Sequence, residues 1–305
     1  MTKKISVTVG ISAYNEEANI KNLLDSILSQ KQDNFILEEI IVISDGSTDR
    51  TTDLVMSMNN SKIKLIINKL RIGKSQEQNR IFSEAKGDII VMLDADVVLK
   101  SNNVLQEFIK PIASDSQVGL VSMKTEPLPA NNFFQKVINF SVMVKTEIFE
   151  SINQADNIFL CHGMGRAFSK SFAREIEWPG MFSEDAYSYL LCKLKGFKFV
   201  YNRDGVLLFR APGNLQDHKR QSDRFKGGVD EISKYLPRKF VLENYRIPFG
   251  LMFKHALISF FEHPILLSTY LLIRGYEWIL GSDVYNQSYL WPISGSSKSL
   301  KQDNI

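Results

Sequence analysis

The chain has 305 residues, of which 44% are hydrophobic and 23% are charged, and its formal net charge is +3. This composition is typical of a globular protein with one large core, and it excludes a disordered or fibrous chain. The near balance of charge gives no support for a nucleic-acid partner. The two cysteines form neither a CxxC pair nor a Cys/His cluster, which argues against a disulfide framework or a zinc site and favours a reducing compartment.

The first hundred residues alternate apolar runs with segments of helical periodicity. The runs ISVTVGISA, EEIIVISD, IKLIIN and DIIVMLDAD predict four strands, and the segments between them predict helices. The first run is typical of a strand and not of a secretory signal peptide. Strands that alternate with helices predict an α/β fold with a mostly parallel sheet covered on both faces.

Polar side chains follow each of these predicted strands, at the edge where ligands bind in parallel sheets. They are Tyr14, Asn15 and Glu16 after the first strand, Asp45 after the second, Lys74 beyond the third, and Asp94 and Asp96 after the fourth. The chain contains neither GxGxxG nor GxxxxGK[ST], so phosphates must be bound without a dinucleotide fingerprint or a P-loop. The pattern predicts a nucleotide-binding edge of a different kind.

The acid pair Asp94 and Asp96 allows two interpretations. If the strand breaks at Asp94, both carboxylates can face one loop, where Mg²⁺ or Mn²⁺ on a diphosphate would offset their repulsion. For an isolated pair the alternative is stronger, with Asp96 capping a turn and Asp94 accepting a backbone hydrogen bond. The polar ends of the neighbouring strands favour the metal site.

Beyond residue 100 the pattern is less regular. A long amphipathic helix is predicted over 131–152, a glycine-bearing strand and turn over 159–173, and an acidic helix start followed by a strand over 182–201. Residues 216–235 predict a charged helix, and 247–280 are the most apolar part of the chain. The last twelve residues form a polar tail.

Five segments, in this order, resemble the motifs of inverting family 2 glycosyltransferases: SAYNEE (12–17), VISDGSTDRT (42–51), RIGKSQEQN (71–79), KGDIIVMLDAD (86–96) and SEDAYSYLLCKLKGFKFVY (183–201). QSDRF (221–225) is similar to the QxxRW element of processive membrane synthases of the cellulose, hyaluronan and poly-N-acetylglucosamine type. The resemblance implies a GT-A fold over residues 1–235. A helical, apolar, membrane-associating appendage (236–290) and a polar tail (291–305) would follow.

The resemblance also implies a role for each matching residue. Asp185 would be the catalytic base, with Glu184 in support, and Asp94 and Asp96 would hold Mg²⁺ or Mn²⁺. Nucleotide binding would fall to Tyr14, Asn15, Glu16, Asp45, Lys74, Asp94 and Arg224, and acceptor binding to Gly163, Gly165, Gln221 and Phe225. A structural role is the alternative to each functional one. Asn15 suits a helix cap, Asp45 suits a turn, and QSDRF suits a surface helix. His218 is expected at the surface, with a further metal ligand as the alternative, and His162 is expected to be structural.

The apolar segment 247–280 is interrupted by Glu262, His263, Pro264 and Arg274. A membrane-spanning helix needs about 20 predominantly apolar residues. The interruptions therefore predict two short helices at the membrane interface, and the alternative is a core or dimer-forming helix pair. The protein is thus expected in the cytoplasm, peripheral or monotopic at the cytoplasmic face of the membrane, with a homo-oligomer left open.

These observations predict a metal-dependent inverting glycosyltransferase. It would move a sugar from a nucleotide sugar, UDP-linked by preference, to a lipid-linked or glycan acceptor. Two alternatives remain at this stage: a non-catalytic nucleotide-binding partner of a larger membrane synthase, and a nucleotidyltransferase. The second requires a glycine-rich basic phosphate loop, which GISAYNEEANIK does not supply.

Overall fold

The computed structural model describes residues 4–281 and residue 300, with the side chains of 224–226 excepted. This part of the chain contains one sheet with the strands β1 (Ile5–Ala13), β2 (Phe35–Asp45), β3 (Ile63–Asn68), β4 (Ile89–Asp94), β5 (Val98–Leu99), β6 (Val118–Pro127), β7 (Gly165–Ser169) and β8 (Lys198–Phe209). The helices are α1 (Ile20–Leu28), α2 (Thr51–Ser57), α3 (Lys74–Glu84), α4 (Val104–Ser114), α5 (Phe133–Glu150), α6 (Lys170–Ala173), α7 (Glu184–Leu194), α8 (Leu215–Ile232), α9 (Arg238–Asn244), α10 (Phe249–Glu262) and α11 (Pro264–Leu280).

The N-terminal half of the sheet is parallel. Its strands run in the order β3–β2–β1–β4, and all three pairings are parallel. Ala13 pairs with Ser44 and Ser12 pairs with Asp94, so β1, β2 and β4 end at the same edge. The alternation of strands and helices predicted for this half is confirmed, and the polar residues that follow the strands meet at one edge.

The other half of the sheet is mixed, which limits the expectation of a mostly parallel sheet to the N-terminal half. β7 lies between β4 and β6 and is antiparallel to both, while β8 is parallel to β6 and antiparallel to the short β5. The insertion of β7 brings the segment before it against the end of β4, where the Asp94 amide donates to the carbonyl of Met164 over 3.0 Å. The predicted acid pair and the glycine-bearing segment are therefore neighbours.

Both faces of the sheet are covered by apolar side chains. One face packs against α1 and α4, with Ile20, Leu24 and Phe108 fully buried, and the other against α3, α6 and α7, with Phe172 and Leu190 fully buried. Burying a side chain of this size contributes about 1.5–3 kcal/mol to folding. These two layers fix the strand ends and therefore the edge on which the site is built.

Helices α10 and α11 meet where the sequence predicts an interruption. α10 ends at Glu262, and Pro264 is the first residue of α11, where its missing N–H leaves no hydrogen bond unmade. Both helices pack against α5. Among the described residues, no helix has the length and apolar character needed to cross a bilayer.

The outer face of this helix pair is partly apolar and partly charged. Large exposed apolar side chains include Phe249, Phe253, Phe261, Ile265, Leu272, Trp278 and Ile279, and Lys254 and Glu262 are exposed among them. Glu277, in contrast, is 1% exposed although its neighbours Trp278 and Ile279 are 82% and 75% exposed. α11 therefore turns a carboxylate inward and apolar groups outward. The division at residues 235 and 290 stays a prediction, and the tail lies outside the described residues apart from Leu300.

Candidate active site

A cavity of about 810 Å³ opens beyond the ends of β1, β2 and β4. The predicted site residues that line it are Tyr14, Glu16, Asp45, Lys74, Asp94, Asp96, Gly163, Glu184, Asp185 and Gln221. β4 ends at Asp94 and the chain turns at residues 95–96, as the metal interpretation of the acid pair requires. The side chains of Arg224 and Phe225 lie outside the described part of the chain.

Lys74 is the charged group that connects the two acid pairs of this cavity. It is the first residue of α3, and its ammonium lies 2.6 Å from Asp94 Oδ1 and 2.9 Å from Glu184 Oε1. It also donates to the carbonyl of Gly163 over 3.4 Å. Burial by itself would lower the pKa of Lys74, but Asp94 and Glu184 raise it above its usual value. A permanent positive charge therefore stands between the sheet edge and the start of α7.

Glu184 and Asp185 begin α7 and differ in their electrostatics. Burial would raise the pKa of Glu184, but Lys74 and Arg166 hold it below its usual value. Burial and the neighbouring Glu184 raise the pKa of Asp185. Asp185 Oδ1 accepts a hydrogen bond from the Ala186 amide over 2.7 Å. A carboxylate with a raised pKa at the wall of a cavity is suited to take up a proton during a reaction.

Gly163 and Gly165 have different surroundings. A Cβ atom at Gly163 would lie 3.3 Å from Lys74 Nζ and 3.4 Å from Asp185 Oδ2, so the missing side chain keeps space open between these groups. A Cβ atom at Gly165 would lie 2.3 Å from Leu207 Cδ1, in the core. Gly165 is buried and does not border the cavity, so its position indicates packing and not the expected acceptor contact.

Arg166 and Trp178 hold the first turn of α7, and the sequence did not single out either residue. Arg166 is fully buried, and its Nη1 donates to the Glu184 carbonyl over 3.0 Å and to Ser188 Oγ over 2.7 Å. Trp178 Nε1 donates to the same two oxygens over 3.0 and 3.1 Å. The sequence feature that could have revealed Arg166 is a single charged residue within the strand GRAFS. Both residues position the acid pair through hydrogen bonds to the first turn of α7.

Glu231 of α8 is another positioning residue that the sequence did not reveal. Its two oxygens accept hydrogen bonds from the backbone amides of Phe182 and Ser183 over 3.1 and 3.0 Å. A Cβ atom at Gly228 would lie 2.9 Å from Ser183 Oγ, so this glycine allows α8 to approach closely. The helix that carries QSDRF is thereby fixed to the segment that leads into Glu184.

Asp45 also lines the cavity, and it organises the loop before α3. Asp45 Oδ1 accepts from the amide of Ile72 over 2.7 Å, and Oδ2 accepts from the amide of Gly73 over 3.0 Å. The Arg71 guanidinium lies 3.9 Å from the centre of the Tyr14 ring. Asp45 and Tyr14 thus form one wall with the loop that leads to Lys74.

Asn15 and Glu16 lie in the turn between β1 and α1. The alternative in which Asn15 caps this helix is wrong, because α1 begins at Ile20. Asn15 has a positive φ of 53° and accepts from the Thr48 amide over 2.8 Å, but it does not border the cavity. Glu16 does border it and accepts from Asn19 Nδ2 over 2.9 Å. Asn15 therefore shapes the turn that presents its neighbours.

Of the two histidines considered in the sequence, His218 is buried and His162 is half-buried, and both line the cavity. The expectation of a surface position for His218 is wrong, because it is 5% exposed and its Nδ1 lies 2.6 Å from Glu277 Oε1. Burial lowers its pKa below the usual value although Glu277 acts in the opposite direction. Burial also lowers the pKa of His162 to about 4, so this imidazole is neutral at physiological pH.

Glu77 yields a prediction on stability. It is 1% exposed at the cavity wall, and burial, followed by Asp45, raises its pKa from 4.5 to about 9. Between these two values the unfolded chain has released the proton and the folded chain still holds it. The wild-type free energy of unfolding should therefore fall relative to that of Glu77→Gln as pH rises through this window, by at most about 1.4 kcal/mol per pH unit.

Urea denaturation across this pH window measures the difference. Glu243→Gln, at an exposed position of α9, is the matched control and should follow the wild type. Parallel stability curves for wild type and Glu77→Gln would contradict a neutral Glu77.

The acid pair fits a hard divalent cation that is shared with a phosphate ligand. Asp94 and Asp96 both line the cavity. Within the described residues, no three His, Cys, Asp or Glu side chains are grouped to hold a metal by themselves. Mg²⁺ is commonly bound through one or two carboxylates together with substrate phosphates and water. The two carboxylates at the cavity match the protein part of a site of this kind.

Comparison with known proteins places the chain in a family. The model of Glycosyl transferase family 2 matches residues 8–177, which is more than half of the chain. Poly-beta-1,6-N-acetyl-D-glucosamine synthase of Staphylococcus aureus is 24% identical over 270 residues, with 86% of this chain and 63% of that protein covered. Probable glycosyltransferase YdaM of Bacillus subtilis is 25% identical over 280 residues, with 88% and 66% covered. The chain thus spans less than two thirds of these relatives.

Solved structures support the same assignment at the level of the fold. Mannosyltransferase PcManGT from Pyrobaculum calidifontis, in complex with GDP-Man and Mn²⁺, has a TM-score of 0.61 at 20% identity, with 92% of this chain and 77% of that chain covered. Glucosyl-3-phosphoglycerate synthase from Mycobacterium tuberculosis, in complex with Mn²⁺, UDP and phosphoglyceric acid, has a TM-score of 0.53 at 18% identity, with 75% and 78% covered. The fold is the expected GT-A type. Together with the match of the family model, these findings show that the chain belongs to glycosyl transferase family 2.

Proposed function

We propose that this glycosyltransferase is metal-dependent and inverting, with a nucleotide sugar as donor and Asp185 as the catalytic base. The observation that carries the proposal is the position of Lys74. Its ammonium contacts both Asp94, at the sheet edge, and Glu184, which precedes Asp185. A donor whose diphosphate lies against Asp94 and Lys74 would present its sugar to the start of α7. The Lys74 side chain thus places the proposed donor position next to the proposed catalytic base.

The reaction proceeds by a single displacement. The acceptor hydroxyl oxygen attacks the anomeric carbon, and a carboxylate oxygen of Asp185 takes the hydroxyl proton. The bond between the anomeric carbon and the diphosphate oxygen breaks, and its electron pair leaves with the nucleoside diphosphate. Lys74 offsets part of the charge that develops on the leaving group. Glu184 stays ionised beside Lys74 and Arg166, which favours proton uptake on Asp185.

Asp94 and Asp96 would hold the divalent cation. When bound, this cation supplies electrostatic stabilisation of the leaving diphosphate. The carboxylate of Asp94 lies 2.6 Å from the Lys74 ammonium, so the protein surrounds the phosphate position with both acidic and basic groups. Mn²⁺ or Mg²⁺ suits these oxygen ligands.

The donor is a UDP-sugar in this proposal, and the acceptor is a lipid-linked or glycan hydroxyl used in polysaccharide or glycoconjugate synthesis. Two observations support this choice. One relative is named a polysaccharide synthase, and one solved neighbour with the same fold contains UDP. Tyr14 and Asp45, which line the cavity beside the loop before α3, would contact the nucleoside.

The membrane surface is the proposed location. α11 buries Glu277 and exposes Trp278, Ile279 and Leu280, which is the reverse of the usual pattern for a helix facing water. The basic residues Arg238 and Lys239 of α9 and Lys254 of α10 are exposed and would meet anionic headgroups. These features support a peripheral attachment through α10 and α11 at the cytoplasmic face.

Calorimetric titration with UDP, GDP, dTDP and CDP, with and without Mn²⁺, tests the proposal. We expect one nucleotide to bind in a metal-dependent manner, and Asp96→Ala to weaken that binding at least about tenfold through loss of a metal ligand. Asp33→Ala, at an exposed position remote from the cavity lining, is the matched control and should bind as the wild type.

Absence of binding by all four nucleotides would overturn the proposal. Metal-dependent binding without transfer to any acceptor preparation would instead favour a non-catalytic partner of a larger synthase.

A further inference from the structure

The cavity continues from the acid pairs to a mouth where three helices bring basic side chains together. Lys145 comes from α5, Arg220 from α8 and Arg274 from α11, and all three line the cavity. Burial is the main cause of the lowered pKa of His218, and the charges of Lys145 and Arg274 add to it. Lys145 lies over the ring of Tyr270, one turn before Arg274 on α11, and Arg274 Nη1 donates to Ser222 Oγ of α8 over 3.3 Å. We call these three cavity-lining cations the basic mouth (Lys145, Arg220 and Arg274).

The basic mouth carries more positive charge than its acidic neighbours balance. Arg274 Nη1 lies 2.5 Å from Glu277 Oε2, and Arg220 Nη1 lies 3.4 Å from Asp217 Oδ1. Lys145 forms no ion pair with the residues that the structure describes, and its ammonium lies 5.1 Å from the centre of the Tyr270 ring. Among the described residues, the three cations of the mouth are thus paired with two carboxylates, and Lys145 is the cation that remains available to a ligand.

A fourth cation in the cavity wall also lacks an anionic partner in the described part of the chain. Arg210 is 9% exposed and lines the cavity. Its Nη1 donates only to the carbonyl of Pro129, over 3.3 Å, and its buried Nε has no hydrogen-bond partner among the described residues. A buried guanidinium without a carboxylate is unfavourable unless a ligand supplies acceptor atoms.

We propose that the basic mouth binds a phosphoryl group of the acceptor substrate. Guanidinium and ammonium groups are the side chains that suit phosphate oxygens. The cations of the mouth come from helices α5, α8 and α11, whereas Lys74 and Asp94 follow strands of the parallel half-sheet. The mouth is thus built mainly on other elements than the position proposed for the donor diphosphate, and Lys145 lies on α5, which carries none of the residues assigned to the nucleotide. This inference rests on the proposed function, because it names the class of the acceptor.

The walls around the mouth favour a phosphate that carries an apolar chain. Ile138, Val142, Phe149 and Phe159 line the same cavity. Tyr270 and Arg274 belong to α11, whose other face exposes Leu272, Trp278 and Ile279. A lipid phosphate could therefore place its phosphate in the mouth and its chain along the C-terminal helices. A soluble phosphate ester would use the same cations without the apolar walls.

Calorimetric titration of the full chain with geranyl phosphate, geraniol and inorganic phosphate tests this site. We expect geranyl phosphate to bind and geraniol to bind at least about tenfold more weakly, because the charged contacts are lost. Lys145→Gln should weaken binding of geranyl phosphate about tenfold and leave UDP binding unchanged. Lys136→Gln, at an exposed position of the same helix, is the matched control and should have no effect.

The outcomes distinguish a lipid phosphate from a soluble phosphate. They also distinguish a failure of this inference from a failure of the proposed function. Stronger binding of geranyl phosphate than of inorganic phosphate identifies a lipid phosphate, and equal binding that still depends on Lys145 identifies a soluble one. Equal binding of geranyl phosphate and geraniol, or equal effects of Lys145→Gln and Lys136→Gln, would overturn the inference. If the wild type bound none of the four nucleotides but still bound phosphate in a manner that depends on Lys145, the proposed function alone would be overturned.

Discussion

Replacing Asp185 by asparagine should reduce turnover by about 10²–10⁴-fold, the range expected for loss of a general base. The substitution keeps the size of the side chain and an oxygen that can accept from the Ala186 amide, so the start of α7 should remain intact. It removes the carboxylate that takes the acceptor proton. Steady-state kinetics with a nucleotide sugar of the nucleotide identified by titration gives the measurement.

Binding and folding serve as internal controls for this variant. Its affinity for the nucleotide and its thermal midpoint should stay close to those of the wild type. Asp204→Asn, at an exposed position of β8, is a matched control with no expected effect on turnover. Normal turnover by a folded Asp185→Asn protein would exclude Asp185 as the base.

The pH dependence provides a second readout of the same residue. Burial and Glu184 raise the pKa of Asp185 above its usual 3.8, and the base acts only when it is ionised. Activity should therefore fall as pH is lowered, with a midpoint above the usual range for aspartate. The residual activity of Asp185→Asn should lack this acidic limb.

Replacing Arg166 by methionine should lower the free energy of unfolding by about 3–5 kcal/mol, the usual effect of removing one partner of a buried ion pair. Arg166 is fully buried, and its guanidinium donates to the Glu184 carbonyl and to Ser188 Oγ. Its loss leaves the Glu184 carboxylate with Lys74 as its remaining cation among the described residues. Urea denaturation monitored by circular dichroism measures the change.

A double variant distinguishes electrostatics from packing. Arg166→Met combined with Glu184→Gln removes the incompletely paired carboxylate and should recover part of the lost stability. Arg203→Met, which breaks an exposed ion pair with Glu150, should cost less than about 1 kcal/mol. If Arg166→Met costs no more than Arg203→Met, Arg166 does not hold the start of α7 as described.

The features that were predictable from the sequence are those that depend on local periodicity. Strands β1 to β4, the helices between them and the interruption at Pro264 follow from the spacing of apolar residues and from the chemistry of proline. The position of β7 could not be predicted in this way. It pairs with β4 and β6 across long separations in sequence, and no local pattern specifies such partners.

The same distinction applies to the site. Asp94 and Asp96 were singled out because two acids at the end of an apolar strand are unusual, whereas Asp185 was singled out by its resemblance to a known motif, since acids are common at helix starts. Arg166 and Glu231 act through backbone groups far away in the sequence, which only the folded chain brings together. His218 was misjudged because the helix α8 is highly charged, and its buried partner Glu277 lies 59 residues further along the chain.

The hydrogen bonds of the Asp45 carboxylate limit which substitutions could change the donor preference. Both of its oxygens are engaged by the amides of Ile72 and Gly73, and Lys74 follows immediately. A substitution at position 45 would therefore displace the ammonium group that contacts Asp94 and Glu184. Under the proposed function, contact with the nucleoside and the placement of Lys74 therefore depend on the same side chain. An altered donor would be reached more readily through Tyr14 or Arg71, which leave this backbone anchor in place.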